Sequence, residues 1–316
     1  MVFEEFREYV RTHLPLKDPE LFAGEEVCVR EVKKNNGRSL WAVTVSPEKD
    51  RVVPVIYLDG FFREYVEGKK PERCLAEICS MFRRHDLKQG EEFRIPDSFD
   101  EVKDKIRIKL INYDLNRDQL EDRPHLKFGD LAVTFMMPVY SKVAGEGSID
   151  IKDHLAKMWG VGCKELLQAA TENMRGSNKS CILSLDTVLE GAEKYLGPDA
   201  IYFANCGMYV LTNEDRCLGA SCMLDEDTIR SFAEEKDKDI YILPSSIHEL
   251  ILLPEFEYMD EDELQRTVEC VNRAVVSPLE VLSDSVYVFR KNSGKYYRLG
   301  QEAPIQLEMA EGEKCS

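Results

Sequence analysis

The chain has 316 residues, 43% hydrophobic and 32% charged, with a net charge of −17; this length and apolar content indicate a globular protein of more than one unit. The acidic balance argues against nucleic acid, whose phosphates are bound by clustered Lys and Arg, and against anionic membrane surfaces. No run of about 18 apolar residues suits a transmembrane helix, and the charged N-terminus lacks a signal-peptide pattern, so a cytoplasmic protein is expected.

In chain order, Phe3, Phe6, Val10 and Leu14 recur at helical spacing and predict an opening helix that ends near Pro15. Val27, Val29 and Val32 lead into Asn35-Asn36-Gly37, which suits a tight hairpin turn, and Trp41, Val43 and Val45 alternate on the return strand. Val52 to Leu58 predicts a third strand. Pro71 fits the first turn of a helix with Cys74, Leu75, Ile78 and Phe82 on one face. Residues 1–86 therefore read as a small sheet-and-helix unit, and the polar stretch 86–100 as a linker.

Beyond the linker, Ile106, Ile108 and Leu110 alternate as a half-exposed strand, and Leu131 to Val139 reads as a buried one. Ser148 to Ile151 is extended, and Leu166, Leu167, Ala170 and Met174 mark a helix face. The most regular alternation of elements lies between Cys206 and Pro254. Here a hairpin is expected from Met208–Leu211 through the turn Asn213–Arg216 to the apolar run Leu218–Leu224. A helix capped by Asp225 and a strand at Ile240–Leu243 follow. Asp260–Glu263 should cap another helix with Leu264, Val268 and Val271 on its apolar face. A last hairpin is expected around Asn292-Ser293-Gly294, and residues 301–316 read as an acidic flexible tail. The fold class is α+β, with residues 101–300 forming a mixed, mainly antiparallel sheet flanked by helices.

The densest cluster of potentially catalytic side chains is Ser245-Ser246-Ile247-His248-Glu249. A hydroxyl, an imidazole and a carboxylate are the parts of an acyl-transfer triad, so His248, Ser246 and Glu249 are the catalytic candidates. In an extended segment, however, Ser246 and His248 stand about 6–7 Å apart, too far for a direct hydrogen bond, and no GxSxG elbow surrounds either serine. Ser246-x-x-Glu249 also matches a capping box. His248-Glu249 lacks the second histidine of a zinc protease, since position 252 is Leu.

Candidate binding residues lie mostly in the polar loop 111–130, namely Asn112, Arg117, Arg123, His125 and Asp130, together with Asn213 and Asp284. His125 and Asp130 would form an acid–base pair if that loop folds back. The ten cysteines contain no CxxC, and the spacings of Cys74/Cys79 and Cys217/Cys222 do not suit a zinc knuckle, so reduced thiols and no metal are expected. No phosphate-loop or dinucleotide fingerprint is present, and no cofactor is expected.

The segments VKKNNG (32–37), IKLINYDLNRDQLEDRPHLKFGDLAV (108–133), HLAKMWGV (154–161), MYVLTN (208–213), ILPSSIHELILLP (242–254) and VLSDSVYVF (281–289) carry a resemblance along nearly the whole chain. The chain resembles an uncharacterised bacterial family, a domain of unknown function found mainly in anaerobic gut bacteria. The resemblance implies a bacterial cytoplasmic origin and a shared fold, and brings no activity or catalytic residue. Two readings of function follow. The first is a non-catalytic binding or regulatory protein with a protein partner, for which the acidic stretches 225–239 and 255–263 and the tail offer surfaces to a basic molecule. The second is a hydrolase-like enzyme in which His248 works with Ser246 or a carboxylate from elsewhere in the chain.

Overall fold

The computed structural model describes residues 1–45, 54–84, 95–141, 145–189, 207–244 and 246–309. Helix α1 (Phe3–Lys17) forms because Phe6, Val10 and Leu14 fall on one stripe and are fully buried, while Glu4 and Glu5 occupy the first turn, where carboxylates complement the helix dipole. Pro15 does not end it. The helix runs on to Lys17, and a proline in the last turn forfeits a ladder bond without breaking the element.

Strands β1 (Val27–Lys33) and β2 (Ser39–Val45) pair antiparallel from Val27↔Val45 to Lys33↔Ser39. Their turn uses Asn36 at φ 59° and Gly37 at φ 62°, left-handed conformations that Asn and Gly tolerate best. β3 (Ile56–Tyr57) joins β2; residues 52 and 53, where that strand was predicted to start, lie outside the described residues. Helices α2 (Asp59–Val66) and α3 (Pro71–Arg84) complete this part, and Cys74, Leu75, Ile78 and Phe82 of α3 pack with Phe6, Val10 and Val43 in one core. Each such side chain contributes about 1.5–3 kcal/mol of burial. Most of the predicted linker, 86–94, lies outside the described residues, and Phe99–Glu101 is one turn of 3₁₀ helix.

The chain divides into two compact units, Met1–Pro96 with Pro138–Ile149, and Asp97–Met137 with Asp150–Ser316. In the second unit, β4 (Arg107–Asn112), β5 (His125–Phe128) and the first half of β6 (Leu131–Ser141) pair antiparallel. Helix α4 (Arg117–Leu120) lies between β4 and β5. β7 (Gly145–Asp150), which pairs with β6, then leads to α5 (Asp153–Trp159) and α6 (Cys163–Gly176).

The second sheet of this unit has the order β13-β12-β10-β11-β9-β8 among the described residues. Its members are β8 (Ser180–Ser184), β9 (Tyr209–Asn213), β10 (Ile240–Leu243), β11 (Leu250–Pro254), β12 (Tyr287–Arg290) and β13 (Lys295–Arg298), all paired antiparallel. Short α7 (Leu185–Leu189) follows β8, while α8 (Glu226–Lys236) precedes β10 and α9 (Glu261–Ala274) follows β11. The class is α+β, built on antiparallel sheets.

Four sequence expectations change. The apolar run after the Asn213 turn is a 3₁₀ helix, Gly219–Leu224, and not the return strand of a hairpin. Asp225 stands at the N-cap of α8, but its carboxylate accepts the Thr228 hydroxyl (2.7 Å) and no helix N–H. Val271 is 42% exposed, so the buried face of α9 rests on Val268 and Asn272. The stretch past residue 300 is not wholly an open tail, because β14 (Leu307–Met309) pairs with β5; residues 310–316 lie outside the described residues.

Candidate functional site

The Ser246–Glu249 segment joins β10 to β11 and is tied down by main-chain and side-chain bonds. Ser246 bridges Val281, Ile247 donates its N–H to Glu280 O (2.9 Å), and Ile247 O accepts from Ala220 N–H (3.3 Å). Ser246 Oγ accepts the His248 N–H (3.0 Å), a local turn that takes the place of the expected capping box. Ser245 lies outside the described residues.

His248 reaches in a different direction. Its Nδ1 accepts the Leu218 N–H (3.2 Å), and its carbonyl accepts the Thr212 hydroxyl (3.0 Å). An acceptor at Nδ1 places the ring proton on Nε2, and Nε2 lies 4.0 Å from Glu280 Oε1. One ring nitrogen thus has its lone pair committed to the backbone, and the other carries the hydrogen. Glu249 is exposed, and its carboxylate takes no part in the hydrogen bonds that hold Ser246 and His248. The carboxylate that approaches His248 is Glu280, which no local spacing in the sequence pointed to.

The partner of His248 is an unusual turn. Leu218 adopts φ 55° and Arg216 φ 50°, left-handed values that cost an ordinary side chain about 1–2 kcal/mol each. Asn213 holds the turn closed at both ends, donating Nδ2 to Cys217 O (2.9 Å) and accepting Cys217 N–H at Oδ1 (3.1 Å). Its amide is therefore occupied by the fold. Gly219 must be glycine for space: a Cβ there would stand 2.2 Å from Thr212 Oγ1 and 2.7 Å from His248 O.

In the loop 111–130 the candidates separate. Asn112 donates to Leu282 O (3.1 Å) and accepts Leu115 N–H (2.9 Å), while Arg117 pairs with Asp114 (2.6 Å) on the surface. Arg123 is only 6% exposed; it donates Nε to Gln119 O (2.6 Å) and Nη1 to Asp150 (3.0 Å). Lys109 also reaches Asp150 (3.2 Å). Burial pushes the Asp150 carboxyl up, but the Lys109 and Arg123 cations together hold it below the ordinary aspartate value.

His125 donates Nδ1 to Arg123 O (3.0 Å) and does not pair with Asp130. Asp130 instead collects three hydroxyls, from Ser283 (2.7 Å), Ser285 (2.8 Å) and Tyr287. Ser283 and Tyr287 are fully buried. Burial, then the charge of Asp130, raises the Tyr287 phenol well above its ordinary value, so it stays a proton donor. Asp284 accepts the Asn272 amide (2.9 Å) and belongs to the same turn. The sequence offered one signal for this node, Ser283, Ser285 and Tyr287 at alternate positions, one face of an extended segment.

A groove of about 490 Å³ opens between β8 and α8, where Ile182 and Ser184 of β8 and Tyr209 of β9 face Asp227, Phe232 and Glu235 of the helix. The Tyr209 and Phe232 rings meet edge to face with centroids 4.9 Å apart. Lys236 Nζ stands 4.5 Å from the Tyr209 ring centroid and 5.3 Å from that of Phe232, and donates to Glu235 (2.9 Å). Among the described residues no group of three or more His, Cys, Asp or Glu is placed to hold a metal ion, and no helix is long and apolar enough to cross a membrane.

Fold and sites define an α+β protein whose most chemically equipped side chains are bonded into turns and sheet connections. The chain belongs to the family of unknown function DUF5688, whose sequence model matches residues 3–291. No curated protein and no solved structure matches it.

Proposed function

We propose that this chain is a non-catalytic, cytoplasmic binding protein of a bacterium that engages a basic protein partner. The observation that carries the reading is the bond from Leu218 N–H to His248 Nδ1, which removes from service the one imidazole standing beside a hydroxyl and a carboxylate in sequence. The hydrolase reading needs that nitrogen, or Nε2 without its proton, as a general base.

Charge supports the choice of partner. The first unit carries 18 basic and 19 acidic side chains, and the second 24 and 40, so the net −17 resides almost wholly in the second unit. A field of that sign speeds encounter with basic surfaces and repels polyanions. The test is capture from bacterial cytosol on the immobilised protein at low and high salt, run beside a panel of esterase, phosphatase and peptidase substrates. The reading expects one recurrent basic protein released by salt and no turnover. Turnover that disappears in His248→Ala while the melting temperature holds would overturn it.

A further inference from the structure

Resting on the binding-protein reading above, we infer that the groove between β8 and α8 is a docking site for a lysine side chain of a basic partner. The argument starts from what lies at its base. Tyr209 and Phe232 present two ring faces to one point, and the chain's own Lys236 ammonium already occupies it. Ring faces attract cations through their quadrupole, and both the Tyr209 hydroxyl and the Glu235 carboxylate raise the Lys236 pKa. The corner is built to favour an ammonium group, and Lys236 shows where such a group sits.

The charge of the unit sets the sign of the ligand. Asp227 and Glu235 line the groove with Lys236, and Arg175 pairs with Asp227, so the rim itself is balanced, while the 40 acidic against 24 basic side chains of this unit favour a cation over an anion. Both carboxylates are open to exchange. Asp227 is 75% exposed and held by a 60% exposed Arg175 at 2.9 Å, and Glu235 is 68% exposed against Lys236. Exposed pairs of this kind are each worth only about 0–1 kcal/mol, so an incoming ammonium displaces either at little cost. Ile182 and the Tyr209 ring supply apolar surface for the methylene stem of a lysine, whose length lets the head reach the carboxylates while the stem stays covered. The groove volume of about 490 Å³ falls within the range of ligand pockets.

A different acidic surface, the stretch Glu255–Glu263, has exposed Phe256 and Tyr258 and lies outside the groove lining. It serves as the control. Bind a fluorescent octapeptide alternating lysine and serine to the full chain, and compare Asp227→Asn/Glu235→Gln with Glu257→Gln/Asp262→Asn, which changes net charge equally. All four positions are exposed, and melting curves check that each variant folds.

The inference expects the groove variant to bind about fivefold more weakly and the loop variant to stay within about twofold of the parent. Lys236→Ala should bind more tightly than the parent, because the resident ammonium no longer competes. Equal weakening in both double variants overturns the groove while leaving a basic partner in place. Failure of the parent chain to bind the lysine peptide at all overturns the ligand class. The binding-protein reading itself then stands or falls on the capture experiment and the substrate panel.

Discussion

Leu218, in a left-handed conformation, donates its backbone N–H to Nδ1 of His248, thirty residues along the chain, at 3.2 Å. This bond joins the turn after β9 to the connection between β10 and β11. Removing the ring leaves a part-buried N–H without its acceptor, at a cost of about 1–3 kcal/mol. His248→Ala should lower the urea midpoint accordingly, and His248→Asn, whose amide oxygen can stand near the Nδ1 position, should recover part of the loss. Unchanged midpoints in both variants would contradict the structural role.

Gly219 marks the same junction. The added methyl of Gly219→Ala meets Thr212 Oγ1 at 2.2 Å, His248 O at 2.7 Å and Asn213 N at 2.8 Å. Two of these are backbone atoms, so trimming Thr212 to alanine cannot clear the space. We expect a loss of about 1–3 kcal/mol on chemical denaturation, with little rescue in the double variant. Full rescue would mean that the backbone there is more compliant than the contacts indicate.

Asp130 accepts hydroxyls from Ser283, Ser285 and Tyr287. Tyr287→Phe removes one of three donors and should cost about 1–2 kcal/mol, whereas Asp130→Ala strands all three and should cost about 3 kcal/mol or more. In a double-mutant cycle the two changes should couple, because each acts on the same bond. Additive losses would show that the node does not work as a unit.

Asp150 gives a pH dependence with a defined sign. Its folded carboxyl is held below the unfolded aspartate value of about 3.9 by Lys109 and Arg123, against the pull of burial. The ionised group therefore stabilises the fold fully above about pH 4. That contribution fades as pH falls through the lower folded value. Asp150→Asn should flatten the acid limb of a stability–pH curve below about pH 4 while lowering stability at neutral pH. An acid limb identical to the parent's would contradict the cluster.

Much of the architecture was legible because period and turn chemistry agreed. The Asn35-Asn36-Gly37 turn, the alternation in β2, the mostly apolar run of β6 and the helix stripe of α3 each left one interpretation. The run Leu218–Leu224 did not. Its small residues Gly219, Ala220, Ser221 and Cys222 are buried, but they lack the β-branched bulk that favours a strand, and they fold as 3₁₀ helix. A short apolar run is compatible with either state.

The polar contacts were the least legible part. Asp130 and Tyr287 are 157 residues apart, and the Lys236 corner depends on where α8 crosses β9, which local patterning does not reveal. His248 shows the same limit from the other side. Adjacency of Ser, His and Glu in sequence suggested a site, while the partners it found are the backbone of Leu218 and the carboxylate of Glu280.

The tautomer of His248 tests the account most directly. A long-range proton–nitrogen correlation spectrum of the folded protein near neutral pH, with the His248 signals assigned by their loss in His248→Asn, reports which ring nitrogen carries hydrogen. The account predicts hydrogen at Nε2 with Nδ1 as acceptor. A ring protonated at Nδ1, with Nε2 left as a free base facing Glu280, would contradict it and return His248 to the catalytic candidates.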